Sequence, residues 1–133
     1  MTIVANFKAM PAFVKLMTLH GLGCIVLFLT WAPTYGKFLA GAPIPQESLW
    51  LVGRIGWAIA VAGLAMPTSA LLSLLRIGIG RYVYLSCFGV ALVVPFAASG
   101  NLLSAALGFL FVMIMTAYLF LNQTVAAYYS AKL

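Results

Sequence analysis

The sequence is poor in acid and in charge of either sign. Among 133 residues Glu47 is the one carboxylate side chain, and 6% of the residues are charged. A soluble domain of ordinary composition carries about 25% charged residues. With 65% hydrophobic residues, this chain has too little polar surface to cover a core in water. Lipid requires no such cover, because apolar side chains can face it directly. Histidine is represented once, by His20, and cysteine twice, by Cys24 and Cys87, in no ligand-spaced motif. That set is too small for a closed metal site. It also lacks a carboxylate pair and a nucleophile with its base, so no catalytic residue, cofactor or metal is assigned and an enzyme is not expected.

Seven Lys or Arg residues give a net charge of +6. They stand singly at the ends of apolar runs and form no basic stripe, which argues against nucleic acid as a partner. Basic residues at helix ends are instead what the positive-inside rule predicts.

A spanning helix needs about 20 mostly apolar residues to cross about 30 Å of hydrocarbon. Four segments meet that requirement. They run from about Phe13 to Trp31, Leu49 to Leu75, Tyr82 to Ala98 and Leu102 to Tyr118, the last continuing as helix to about Tyr129. Pro33 is expected to end the first. The connection from Ala32 to Ser48 holds three prolines and two glycines and cannot be helical throughout. Gly78 and Gly80 would permit the reversal between Arg76 and Arg81. Gly100 can end the third span while Ser99 or Asn101 caps the fourth. The expected fold is an all-α integral membrane protein, a single domain forming a four-helix antiparallel bundle that runs up, down, up and down.

Lys8, Lys15, Arg76, Arg81 and Lys132 would share one side of such a chain, with Lys37 and Glu47 opposite. This bias puts both termini in the cytoplasm. Trp31, Tyr35 and Trp50 would mark the outer interface, and Tyr82, Tyr84, Tyr128 and Tyr129 the inner one. The segment from Asn122 to Tyr129 reads as an amphipathic extension on the inner surface. Short loops and an apolar first helix expected to be retained fit the plasma membrane of a bacterium.

Two intramembrane residues invite a function. Arg54 is near the outer end of the second span, seven positions after Glu47. It can anchor the helix by snorkelling or by pairing with Glu47, or it can meet an anion or a partner's acid. His20 lies among Thr18, Gly21, Gly23 and Cys24, small neighbours that admit another helix. A hydrogen bond across to that helix is the expected role. A proton relay would need an intramembrane acid, and haem ligation would need a second chain. Gly53, Gly56, Ala60 and Gly63 form one small-residue face on the second span, and Ser104 and Gly108 a shorter one on the fourth; packing within the chain is the expected use. Pro67 and Pro95 each remove one backbone hydrogen bond inside a span.

The function expected by elimination is non-enzymatic. The chain would act through helix–helix contacts with another membrane protein or its own copies. It would serve as an accessory subunit of a membrane complex, or as a membrane-embedded immunity or regulatory protein. The alternative is an oligomeric carrier or pore for small molecules or lipid.

Overall fold

The computed structural model describes residues 3–46 and 54–130. Among them are seven helices: α1 (Ile3–Ala9), α2 (Ala12–Gly23), α3 (Ile25–Leu39), α4 (Arg54–Leu74), α5 (Ile79–Ala98), α6 (Leu102–Leu121) and α7 (Gln123–Ser130). Four helical segments are long and apolar enough to cross a membrane: Ala12–Leu39, Gly56–Leu74, Ile79–Ala98 and Leu102–Leu121. The chain is therefore all-helical over the described residues, with four candidate spans. Glu47, Trp50 and Gly53 lie outside the described residues, as does the side chain of Arg54, and with them the expected Glu47–Arg54 pairing.

The first span departs from expectation. Pro33 does not end it; helix continues to Leu39. Proline withdraws its own N–H from the ladder and crowds the carbonyl four residues earlier, at Leu29, and the helix resumes beyond it; Thr30 donates to Leu27 O at 2.9 Å and Thr34 to Thr30 O at 3.2 Å on either side. The end comes instead at Gly41, whose φ of +69° allows Ala42 N–H to return to Lys37 O, the closure expected of a left-handed helix stop. The third span ends likewise at Gly100, φ +77°, and Asn101 caps α6 by accepting from Ser104 N–H at 3.1 Å. Both roles follow the sequence expectation.

The turn between α4 and α5 does not. Gly78 is right-handed helical, and the left-handed position falls on Arg76, φ +58°. Its N–H reaches Ser73 O and Ile77 N–H reaches Leu72 O. An arginine accepts this geometry at a cost that glycine would avoid.

α4 occupies the middle, packed on α2 and α3 on one side and on α5 on the other, while α6 packs on α5. Glycines set each of these contacts, the one between α3 and α4 at Gly63. A Cβ on Gly21 would lie 2.8 Å from Met66 O, one on Gly80 2.8 Å from Ser69 O, and one on Gly108 2.9 Å from Leu92 O. Backbones approach closely there because no side chain intervenes.

Three residues of the expected small-residue face of α4 face other parts of the protein. Gly56, Ala60 and Gly63 are buried, and a Cβ on Gly63 would meet Phe28 N of α3 at 2.6 Å. Near Pro67, Thr68 donates to Leu64 O at 2.7 Å and Ser69 to Met66 O at 2.6 Å. Ser104 is half-buried beside Ala105, which is 8% exposed.

The terminal helices converge on one end of α4. Asn6 of α1 donates to Leu74 O at 2.9 Å, Tyr128 of α7 to Ser73 O at 2.9 Å, and Tyr129 to Ser73 Oγ at 3.0 Å. Leu74 O and Ser73 O belong to the last turn of α4, whose carbonyls lack the donor four residues on that the helix interior supplies. The expected continuous helix to Tyr129 is broken at Asn122, whose backbone is extended. Its side chain accepts from Thr124 N–H and Val125 N–H, starting α7 in a new direction. Val125 and Tyr128 consequently pack into the protein core rather than into a lipid interface.

Candidate functional site

α2 contacts α4 through Gly21, and successive helical residues are about 100° apart. His20 is therefore turned away from α4, and its ring meets α5. Its Nδ1 lies 2.9 Å from Tyr84 Oη. The expected bond from His20 to another helix is present. Tyr84 itself was expected in the inner aromatic belt; it is instead 3% exposed. Tyr82, two positions earlier, is 57% exposed, since two helical positions span about 200° and reverse the face. Four residues beyond Tyr84, Phe88 stacks on it at 5.5 Å and meets the His20 ring edge-on at 5.7 Å.

These groups form the wall of a cleft of about 300 Å³ among α2, α5 and α6. Leu16, Met17 and His20 contribute one side, Tyr84 and Phe88 the floor, and Phe111 and Met115 the other side. Phe13 lines it too and contacts Tyr118 edge-on at 5.0 Å, linking α2 to α6 at the end nearest α7. His20 follows the first residue of α2 by eight positions, about 12 Å at 1.5 Å per residue. The cleft is thus inside the candidate spans. No charged residue lines it. His20 Nε2 has Cys24 Sγ at 3.9 Å, a weak contact at the outer limit for sulfur. Among the described residues no three His, Cys, Asp or Glu side chains come together. This arrangement can hold a hydrogen-bonding group in an apolar setting.

A second depression, about 480 Å³, lies between α4 and α5. Ala58, Ala62, Ser86, Cys87 and Ala91 make most of its lining, and Trp57, Val61 and Val90 the rest. It occupies the face of α4 opposite Gly56, Ala60 and Gly63.

At the end of α4 where the termini meet, Arg81 donates to Leu119 O at 2.9 Å and stands over the rings of Phe120 and Tyr129. Arg76 stands over Tyr128. Burial pushes the Tyr128 phenol up to about 12, with Tyr129 adding to the effect and Arg76 opposing it.

Sequence reasoning found His20 but neither Tyr84 nor the cleft. The available signal was the four-residue spacing of Gly80, Tyr84 and Phe88, which puts a small residue and two rings on one face of α5. Arg54 opens α4, and its expected contacts lie outside the described residues.

The chain matches no protein-family model, and no curated protein or solved structure is significantly similar to it.

Proposed function

We propose that this protein is a non-enzymatic membrane subunit or regulator that acts through helix–helix contacts. The observation that carries this reading is the groove between α4 and α5. Alanine, serine and cysteine make up most of its lining, beside Trp57, Val61 and Val90, and small residues of this kind let a neighbouring helix approach closely in lipid, where apolar burial alone gives little driving force. The internal small-residue face of the same helix is already occupied by α3. A partner helix on the groove suits an accessory subunit of a larger complex or a membrane-embedded immunity protein.

The proposed topology is an antiparallel bundle in a bacterial inner membrane, with both termini cytoplasmic. Two observations support it. Contacts between neighbouring spans pair early residues with late ones, as in Gly21 with Met66 and Phe28 with Gly63, or Gly89 with Val112 and Gly108 with Leu92. Lys8, Arg76 and Arg81 also belong to the end where α1 and α7 meet α4, the arrangement the positive-inside rule associates with the cytoplasm.

The test is mild extraction of the tagged protein from its native membrane, with identification and stoichiometry of what remains bound. A stoichiometric membrane partner, lost when Ala62→Leu fills the groove, is expected. A homogeneous oligomer with no partner would favour the second reading, an oligomeric carrier for small molecules or lipid, to which the cleft at His20 is suited.

A further inference from the structure

The cleft beside His20 has a hydrogen-bonding position with no adequate partner in an otherwise apolar wall. Tyr84 is buried and its hydroxyl is 2.9 Å from His20 Nδ1. When that hydroxyl donates to Nδ1, the imidazole proton resides on Nε2. Among the described residues the polar neighbour of Nε2 is Cys24 Sγ at 3.9 Å, too distant and too weak an acceptor to satisfy an N–H. In hydrocarbon an N–H left unmet is costly, because no water is available to replace the bond.

We propose that this cleft binds a quinone-class molecule, a neutral ring bearing carbonyl oxygens on an apolar tail. One carbonyl accepts from His20 Nε2–H. The ring lies against Phe88 and Phe111, and the tail leaves between α2 and α6 into the lipid. Each feature selects against other occupants. A charged headgroup finds no counter-charge, since no Lys, Arg, Asp or Glu lines the cleft. A saturated acyl chain would leave Nε2–H unmet. The volume of about 300 Å³ is at the lower end for ligand pockets, about 300–1,000 Å³, and suits a single ring. Its place also fits, since His20 stands about 12 Å along the first candidate span. Tyr84 is a positioning residue here: it fixes which imidazole nitrogen carries the proton. The proposal concerns binding alone and stands whether or not a protein partner occupies the α4–α5 groove.

The test uses the full chain in lipid nanodiscs, titrated with decylubiquinone and, in parallel, with decylbenzene, which keeps ring and tail but lacks the carbonyls. Bound and free probe are separated, and melting is followed with and without probe. Saturable binding near one decylubiquinone per chain is expected, with decylbenzene about tenfold weaker or more, as loss of one hydrogen bond in an apolar site implies. His20→Phe should weaken decylubiquinone by a similar factor, and Tyr84→Phe by less. His20→Gln retains an N–H donor and should recover affinity to within about threefold. Unsaturable uptake, or equal affinity of the native protein for both probes, would overturn the proposal; that comparison needs no variant. Equal affinity of native protein and a folded His20→Phe would do so as well.

Discussion

The two ends of the molecule are built differently. At the basic end α1 and α7 fold onto the end of α4, and the larger buried cluster, including Val14, Leu119, Val125 and Tyr128, assembles there. Asn6, Tyr128, Tyr129 and Arg81 each make a hydrogen bond to another element. At the opposite end the buried cluster is Trp31 with Ala60. Trp31 stacks on Tyr35 at 4.8 Å and contacts Trp57 at 5.1 Å. Every residue from Val94 to Leu103 is exposed. Side-chain hydrogen bonds among the described residues of that end stay within one helix or its cap. In lipid, burying an apolar side chain between helices gains little over leaving it in the bilayer. What separates a firm contact from a loose one is close backbone approach and polar pairing; the first occurs toward both ends, as at Gly80 and at Gly63, and the second is concentrated at the basic end.

The contrast can be broken most directly through its glycines. Gly80→Val should abolish the folded protein, because the new Cβ would stand 2.8 Å from the Ser69 carbonyl and 3.0 Å from Leu72 Cβ. Gly36, at the far end, has nothing within 4 Å of the equivalent position, so Gly36→Ala should be tolerated. Size-exclusion profiles in detergent would distinguish the two; equal profiles would show that the ends do not differ in packing. A smaller effect is expected from Leu119→Ala, where the side chain is 0% exposed. A cost of about 2–4 kcal/mol follows from the lost contacts and the cavity, against almost none for Leu110→Ala, 56% exposed. Unfolding in mixed micelles would measure both.

Asn6→Ala removes the bond to Leu74 O and should cost about 1 kcal/mol, read most clearly as faster proteolysis of α1. Alkaline pH offers a gentler probe of the same end. Tyr128 is raised from an ordinary value of 10.0 to about 12, chiefly by burial. A raised folded value means that its stabilising contribution is complete below pH 10 and declines as pH rises from 10 to about 12. Ultraviolet titration should show phenolate formation lagging in the native protein, and Tyr128→Phe should remove one late-titrating phenol while leaving that of Tyr129, which burial also raises. The smallest change is expected for Arg76→Gly. Relief of left-handed strain, about 1 kcal/mol, opposes loss of the contact with Tyr128, worth about 0.5–1 kcal/mol, so stability should remain within about 1 kcal/mol of the native protein.

Much of this was legible in the residues. Four apolar runs of spanning length announced four long helices, because nothing else in lipid satisfies the backbone within one segment. Gly100 and Asn101 declared their turn, since a left-handed stop and a side-chain cap are local chemistry. The close approach at Gly63 was legible as a small-residue face. Pro33 misled because a proline costs a helix one backbone hydrogen bond, and the ladder resumes beyond it to Leu39. Gly78 misled because the reversal needs one left-handed residue, and α4 extends far enough to put it at Arg76. Asn122 was a cap hidden inside an apparently continuous helix.

The sequence by itself pointed to the solvent and to the helices: one acid and four long apolar runs give four helices long and apolar enough to cross a membrane. It also singled out His20 as the histidine within a span. Which residue meets His20, whether Tyr84 faces lipid or protein, and that a cleft opens between α2 and α6 were decided only by tertiary structure. The reason is rotational. Helical periodicity is weak when all faces of a span are apolar, so the angle each helix presents to its neighbour is set by where glycines let backbones touch and where a polar group finds its partner.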